Sequence, residues 1–134
     1  MHKGHFKDGI ISYGELYYQT GYRYKGKFTD GKVTGYGDMI RPDDTVQYRG
    51  KFLDGEIVSG EHIRKTGSRY KGQFVDQRAH GEGEEFNSDG KLVYKGEWEN
   101  NLRHGDGEEF FDDGTSKQAQ WVQGVFWKQI EAIL

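Results

Sequence analysis

The residues best suited to chemistry in this sequence are charged, and they recur at regular intervals. A basic residue holds one position in five similar segments: Lys3, Lys25, Arg49, Lys71 and Lys95. An acidic residue follows in each segment: Glu15, Asp38, Glu61, Glu84 and Glu108. If the basic row lined one side of a sheet, its members from Lys25 to Lys95 would bind the phosphate groups of an anionic lipid. If bases and acids instead share a face of neighbouring strands, they pair with each other, and we favour this second arrangement.

Two histidines and two adjacent carboxylates raise the question of a metal or catalytic site. His80 and His104 occupy equivalent positions of successive segments, which would put them two strands apart, about 9.6 Å, whereas metal ligands lie about 2.0–2.6 Å from the ion. Glu84 and Glu85 are neighbours in a strand pattern and should point to opposite faces. They therefore do not form the carboxylate pair of a glycosidase. We expect no catalytic residue, no metal site and no cofactor.

The charged positions belong to a repeat of about 23 residues, which is the dominant feature of the sequence. Copies start near residues 2, 24, 48, 70 and 94, and a degenerate copy starts near 117. The clearest reads Tyr-Lys-Gly-Lys-Phe-Thr-Asp-Gly from Tyr24, and a Gly-x-Gly sequence follows it. All 21 glycines of the 134-residue chain fall on positions of this repeat. Glycine is thus part of the architecture rather than a flexible linker.

Each repeat predicts a β-hairpin. Tyr-x-Gly-x-Phe alternates with period two, which places both rings on one face, and Asp-Gly supplies the turn. Two copies depart from this turn, with Gln77 and Asn101 in place of its glycine. Gly-x-Gly is a poor strand former, and we expect the rings of a neighbouring strand to lie on it. The fold class predicted is all-β, an elongated and twisted antiparallel meander without a central core.

The aromatic side chains form a second candidate site. We expect them to serve first as the packing face, but a single sheet cannot cover this whole surface. An exposed aromatic groove would bind a peptide or helix of a protein partner. The predicted groove residues are Tyr24, Phe28, Tyr48, Phe52, Tyr70, Phe74, Tyr94 and Trp98. A further apolar row is expected to extend the same surface: Tyr17, Ile40, Ile63, Phe86 and Phe110.

Composition and charge exclude several classes of protein. The chain has no cysteine, which rules out a disulfide framework and a thiol nucleophile. Its 19 basic and 22 acidic residues give a net charge of −3, and the lysines face away from the rings, so we do not expect nucleic acid binding. No apolar run approaches the roughly 20 residues of a membrane-spanning helix. We expect a cytoplasmic location, either free or at the periphery of a membrane or the cytoskeleton.

The pattern Tyr-x-Gly-x-(Phe/Trp)-x-(Asp/Asn)-Gly-x-x-x-Gly-x-Gly resembles the MORN (membrane occupation and recognition nexus) repeat over residues 2–124. The resemblance implies a β-hairpin array with a non-catalytic scaffold or interaction role. Such arrays target or oligomerise an attached enzyme, organise cytoskeletal or membrane-junction structures, or bind a motor-protein or scaffold helix. The family name implies the alternative, a phospholipid-binding surface. Self-association through an exposed edge or terminal hairpin is a third expectation.

The repeat stops after Gly124, and we expect residues 125–134 to cap the last hairpin, because a stack of repeats requires a cap. Phe126, Ile130 and Ile133 fall at helical spacing, which favours a short amphipathic helix. A final strand is the alternative.

Overall fold

A computed structural model describes residues 2–7 and 10–129 of the protein. These residues form β-strands and turns, and no helix occurs among them. In particular, this part of the chain holds no helix that is long and apolar enough to cross a membrane. The chain forms two compact units, unit 1 (Met1–Lys65) and unit 2 (Thr66–Leu134), which are described in turn.

Unit 1 is an antiparallel meander of six strands. They are β1 (His2–Lys7), β2 (Ile10–Tyr17), β3 (Arg23–Thr29), β4 (Lys32–Ile40), β5 (Val46–Leu53) and β6 (Glu56–Ile63). Each strand pairs with the next one along the chain. The Tyr-x-Gly-x-Phe segment from Tyr24 forms one strand of a hairpin and the following Gly-x-Gly segment forms the other, as the sequence predicts, while β2 and β6 carry the single glycines Gly14 and Gly60.

Unit 2 has the same topology. Its strands are β7 (Arg69–Val75), β8 (Arg78–Phe86), β9 (Leu92–Glu99), β10 (Leu102–Phe110), β11 (Ser116–Val122) and β12 (Val125–Gln129). Each again pairs with its successor in antiparallel fashion. The segment expected to cap the array is therefore a strand over residues 125–129, the alternative to the helix, while residues 130–134 lie outside the described residues.

The two faces of each unit differ sharply in burial. On β3 the side chains of Tyr24 and Phe28 are buried, whereas those of Lys25 and Lys27, which lie between them in sequence, are exposed. We call the face that carries these rings the inner face and the opposite one the outer face. The strands β7 and β9 of unit 2 follow the same alternation. Because side chains alternate along a strand, one period-two pattern separates the packing surface from the exposed surface.

A tyrosine ring of one strand lies directly on a glycine of the next. A Cβ atom added to Gly37 would come within 2.6 Å of the Tyr24 ring, and one added to Gly83 would come within 2.3 Å of the ring of Tyr70. The phenol hydroxyl completes the contact, since Tyr24 Oη donates to the Lys27 carbonyl at 2.7 Å. Tyr70 and Tyr94 donate to the equivalent carbonyls at 2.6 and 2.9 Å. The predicted contact between rings and Gly-x-Gly is confirmed.

Edge-to-face ring contacts join successive repeats within each unit. In unit 1 the Tyr24 ring centroid lies 5.3 Å from that of Phe28 in its own repeat and 5.2 Å from that of Phe52 in the next. In unit 2 the Tyr94 ring contacts Trp98 at 5.3 Å and Trp121 at 6.0 Å. Aromatic pairs in this geometry contribute about 0.5–1.5 kcal/mol beyond the area they bury. The core is thus a line of rings that runs across the strands.

The hairpin turns survive the loss of their glycine. Gln77 and Asn101 adopt the left-handed φ values of 61° and 70° that the turn requires. Asn101 also bonds back to the preceding hairpin: its backbone N–H donates to the Ala79 carbonyl at 3.0 Å and its Oδ1 accepts from Ala79 N at 2.8 Å. The N–H of Gly55 makes the same bond to the Val33 carbonyl at 2.9 Å in unit 1. Each such turn therefore reaches two strands back.

Replacement of Gly83 by alanine should destabilise the protein by about 3 kcal/mol, because the new methyl group would overlap the Tyr70 ring on a buried surface. Gly90→Ala is the matched control. No atom lies within 4 Å of its added Cβ, so only the positive φ of 82° opposes the change, at about 1 kcal/mol. Urea unfolding of both variants measures the difference. Equal losses of stability would contradict the ring-on-glycine contact.

Candidate functional site

The structure places the predicted groove residues in the core. Seven of the eight side chains are at most 5% exposed: Tyr24, Phe28, Phe52, Tyr70, Phe74, Tyr94 and Trp98. The rings of successive repeats pack against one another and against the glycines, so these seven side chains have almost no accessible surface for a partner to contact. The prediction of an exposed groove is therefore corrected for these seven. Tyr48, the eighth, is half-buried.

Tyr48 lies on the inner face of unit 1 beside a buried cation. Its ring stacks on the imidazole of His62 with centroids 4.8 Å apart. Arg41, which is buried, donates from its guanidinium to the carbonyls of Val46 and Ile63 and to a threonine hydroxyl. Burial, together with the positive charges of Arg64 and Arg41, lowers the pKa of His62 to about 4. His62 is therefore neutral at physiological pH and serves as a packing residue.

The further apolar row does not extend the aromatic surface. Strand register places Ile40 opposite Arg23 and Phe86 opposite Arg69 rather than opposite the tyrosines, and Ile40 is itself buried. The guanidinium of Arg69 lies 5.5 Å from the centroid of the Phe86 ring. The row does not continue the tyrosine face, because Met39 rather than Ile40 lies opposite Tyr24 and Glu85 rather than Phe86 lies opposite Tyr70.

The charged rows lie opposite one another on the outer face. In unit 1 Glu15 lies opposite both Lys3 and Lys25, and Asp38 lies opposite both Lys25 and Arg49. Asp38 holds Arg49 through two contacts, 2.9 Å to Nε and 3.3 Å to Nη2. The favoured arrangement of alternating bases and acids is confirmed.

The same register holds in unit 2, where Glu84 lies opposite both Lys71 and Lys95. The four residues predicted to contact lipid phosphate are exposed: Lys25, Arg49, Lys71 and Lys95. Each nevertheless has an acid directly across from it on a neighbouring strand. These cations do not form an uninterrupted positive row.

Glu84 and Glu85 point to opposite faces, as expected. Glu85 lies on the inner face, where its Oε1 accepts from Nη2 of Arg103 at 2.9 Å. Glu109 approaches the same guanidinium at 3.6 Å. A carboxylate pair that holds an arginine in this way is a structural ion-pair network rather than an acid and base for catalysis.

Arg103 is the residue that the sequence analysis missed. It holds the inner-face position that Val33, Ile57 and Ala79 fill in other hairpins. Its guanidinium lies 4.5 Å from the Tyr94 ring centroid and 4.8 Å from that of Trp121. The arginine thus replaces an aliphatic core residue through cation–π contacts.

His104 has a structural environment. Its Nδ1 accepts a hydrogen bond from the backbone N–H of Gln123 at 3.3 Å, and its Nε2 lies 3.2 Å from the carboxylate of Glu99. His80 is half-buried on β8. Across residues 2–7 and 10–129, no three histidine or carboxylate side chains come together in a group that could hold a metal ion.

The outer face of unit 1 carries an open groove flanked by tyrosines. Tyr36 is 73% exposed and Tyr13 is 49% exposed, the former from the middle of a Gly-x-Gly sequence. The groove has a volume of about 490 Å³, and glycine backbone of three strands forms its floor. We name it the tyrosine groove, with side chains Tyr13, Lys25, Tyr36, Asp38 and Arg49. Its signal in the sequence is Tyr36, which stands where the repeats of unit 2 carry an acid.

The equivalent groove of unit 2 is smaller and is lined by two lysines, two glutamates and two glycines. It measures about 270 Å³, and Glu82 occupies the position of Tyr36. Beside it the Gln73 side chain accepts from the backbone N–H of Glu82 at 3.3 Å. One strand pair further on, Glu97 accepts from Asp106 N at 2.7 Å. Gln73 and Glu97 therefore bind the backbone of the neighbouring strand beside this groove, whereas the tyrosines of unit 1 project outward.

Alkaline pH should unfold the protein through its buried tyrosines. Burial raises the pKa of Tyr70 from 10.0 to about 12, so the folded state keeps its phenol protonated where the unfolded chain ionises. Stability from this group is complete below pH 10 and is lost as the pH rises toward 12. Tyr70→Phe should therefore show a smaller fall in urea midpoint between pH 9 and pH 11 than the wild type, while Tyr36→Phe on the exposed surface should keep the full fall.

Acid should act through His62. Its pKa is lowered from 6.5 to about 4, so the unfolded chain takes up the proton first, and stability falls as the pH drops from 6.5 toward 4. His62→Phe keeps a ring against Tyr48 but removes the titration. The difference in urea midpoint between variant and wild type should therefore shift in favour of the variant on acidification. A difference that stays constant from pH 7 to pH 4 would contradict the buried neutral imidazole.

The repeats match a known family. The MORN repeat model matches residues 24–46, 70–91 and 94–116, and each match begins at one of the buried tyrosines that lie on glycine. The search of curated proteins returned no significant match. The three segments together cover 68 of the 134 residues, and their hairpins have the ring, glycine and turn positions of the repeat. The chain therefore belongs to the MORN repeat family.

Proposed function

We propose that the protein is a non-catalytic protein-binding module and that the tyrosine groove of unit 1 receives the partner. The exposure of Tyr36 carries this proposal. Seven of the eight predicted groove rings are at most 5% exposed, whereas the Tyr36 ring is 73% exposed and the Tyr13 ring 49%. Tyrosine contributes large contact area at low conformational cost and is enriched at protein interfaces.

The chemistry of the groove suits an extended polypeptide segment, either a peptide or a strand of a folded protein. Its glycine floor brings the backbone of three strands close to the surface, so a bound segment can lie flat between the two tyrosines. Lys25, Arg49 and Asp38 supply charged hydrogen-bond partners at its rim. An apolar wall with a few fixed polar groups is the usual composition of a peptide-binding groove.

The non-catalytic part of the proposal rests on what the titratable side chains do. The groups with the largest pKa shifts are Tyr24, Tyr70, Tyr94 and His62, and burial is the main cause in each. All four pack against other rings on the inner face. Perturbed groups used in this way support a structural role. We propose further that the module acts in the cytoplasm.

Phospholipid binding is the weaker alternative. The outer-face bases alternate with acids, so their row offers an anionic surface as much repulsion as attraction. The tyrosine groove offers aromatic contact area that this alternation does not cancel.

Selection of random peptides displayed on phage tests the proposed function without knowledge of the natural partner. Peptides enriched on the wild-type protein should bind Tyr36→Ser at least about tenfold more weakly, as expected for loss of an interface tyrosine. Tyr18→Ser, at a partly exposed tyrosine outside the groove, is the matched control and should bind like the wild type. Enriched peptides that bind both variants equally would place the binding surface elsewhere, and the circular dichroism of both variants checks the fold.

A further inference from the structure

The two units carry opposite charge. Residues 1–65 contain 11 Lys and Arg and 9 Asp and Glu, a net charge of +2, whereas residues 66–134 contain 8 and 13, a net charge of −5. Because the strands of both units follow one repeat, this difference can be traced to equivalent positions. The difference is concentrated on the outer face, at positions two residues along each strand from the rows of bases and acids described above.

Unit 1 presents tyrosines and lysines at these positions. Tyr13 lies opposite Lys27, and Tyr36 lies opposite Lys51, on four consecutive strands from β2 to β5. All four side chains are exposed. Neither lysine takes part in an ion pair with another residue in the described ranges. We name these four residues the tyrosine–lysine row.

Unit 2 presents carboxylates at the same positions. Glu82 lies directly opposite Glu97 on the neighbouring strand, and the carboxylate of Glu97 accepts from the backbone N–H of Asp106 on the strand after that. The three side chains are exposed, and among the described residues none of the three pairs with a lysine or arginine. Like charges directly across a strand pair are unfavourable. We name Glu82, Glu97 and Asp106 the acidic row.

The two rows match in spacing as well as in charge. Neighbouring strands lie about 4.8 Å apart, so Lys27 on β3 and Lys51 on β5 are separated by about 9.6 Å. Glu82 on β8 and Asp106 on β10 are also two strands apart and have the same separation. Because the two lysines and the two carboxylates have the same separation, Lys27 and Lys51 can each form an ion pair with one of the two carboxylates at the same time. The bond from Glu97 to Asp106 N fixes the middle carboxylate between them.

We propose that the tyrosine–lysine row of one molecule docks on the acidic row of a second copy of this chain. The inference rests on the proposed function, since it names the partner of the surface that includes the tyrosine groove. Lys27 and Lys51 supply the cations that the acidic row lacks, while Tyr13 and Tyr36 cover the glycine backbone between the carboxylates. Exposed ion pairs are screened by salt, so the association is weak and depends on ionic strength.

Sedimentation velocity of the full chain tests this docking. The wild type should associate as its concentration rises at low salt, and about 0.5 M salt should weaken the association at least tenfold. The charge reversals K27E/K51E and E82K/E97K should each weaken it by at least about tenfold, because each leaves two rows of like sign. An equimolar mixture of the two variants should associate again, since each then finds a row of opposite charge.

The control variant K32E/K91E makes the same charge change at exposed lysines outside both rows and should associate like the wild type. Thermal unfolding of every variant establishes that each remains folded. A wild type that stays monomeric at all concentrations overturns the proposal, and so does a mixture of reversed variants that fails to associate. Association of the wild type that survives both reversals overturns it as well.

Two further measurements separate this proposal from its alternatives. Flotation with vesicles of about one-third phosphatidylserine should recover no more protein than flotation with neutral vesicles. Preferential recovery that K27E/K51E abolishes, with a monomeric wild type, would assign the lysines to a lipid surface instead. Peptides selected on the tyrosine groove that still distinguish Tyr36→Ser, when self-association is absent, would leave the protein-binding function in place and remove only the second copy as partner.

Discussion

The contact between a tyrosine ring and a glycine of the next strand is the constraint on which this structure depends. The ring has room only because Gly37, Gly83 and Gly107 lack a Cβ atom. Once seated, it bonds through its hydroxyl to a carbonyl of its own strand and meets the rings of two repeats edge-on. Strand register, the burial of the inner face and the spacing between repeats all follow from it. A chain with few aliphatic residues can therefore build a core from a row of rings.

Much of the fold could be predicted from sequence because the two partners of that contact, a tyrosine and a glycine, can be recognised from their residue types. Tyr24 and Gly37 recur as a pair in later repeats, and the turn between them is short enough to fix which strands are neighbours. The pairing of outer-face bases with acids, such as Arg49 with Asp38, follows from the same register. Even Gln77 and Asn101 adopt the turn conformation of glycine, since the flanking pairing determines it.

The candidate site could not be predicted in the same way, because exposure depends on how repeats close over one another. Alternation assigns a face to Phe52 but does not reveal that the ring of Tyr24 covers it. The hairpin register places Met39 opposite Tyr24, so Ile40 lies one residue away from the face expected for it. Arg103 stands in an aliphatic position, and its place between two rings depends on the carboxylate of Glu85 from another strand. Composition alone marks such a residue as a surface arginine.

Within each unit, turn bonds that reach two strands back link a hairpin to its predecessor through the backbone. Gly55, Asn101 and Gly124 each donate to the carbonyl of a residue in the preceding hairpin. Because the donor is a main-chain N–H, the link tolerates any side chain that can adopt the turn. These bonds have one direction along the chain: the turn N–H of a hairpin donates to a carbonyl of the hairpin before it. Within unit 2, loss of the β11–β12 hairpin would leave the Arg103 carbonyl without its Gly124 donor, so this hairpin stabilises the one before it.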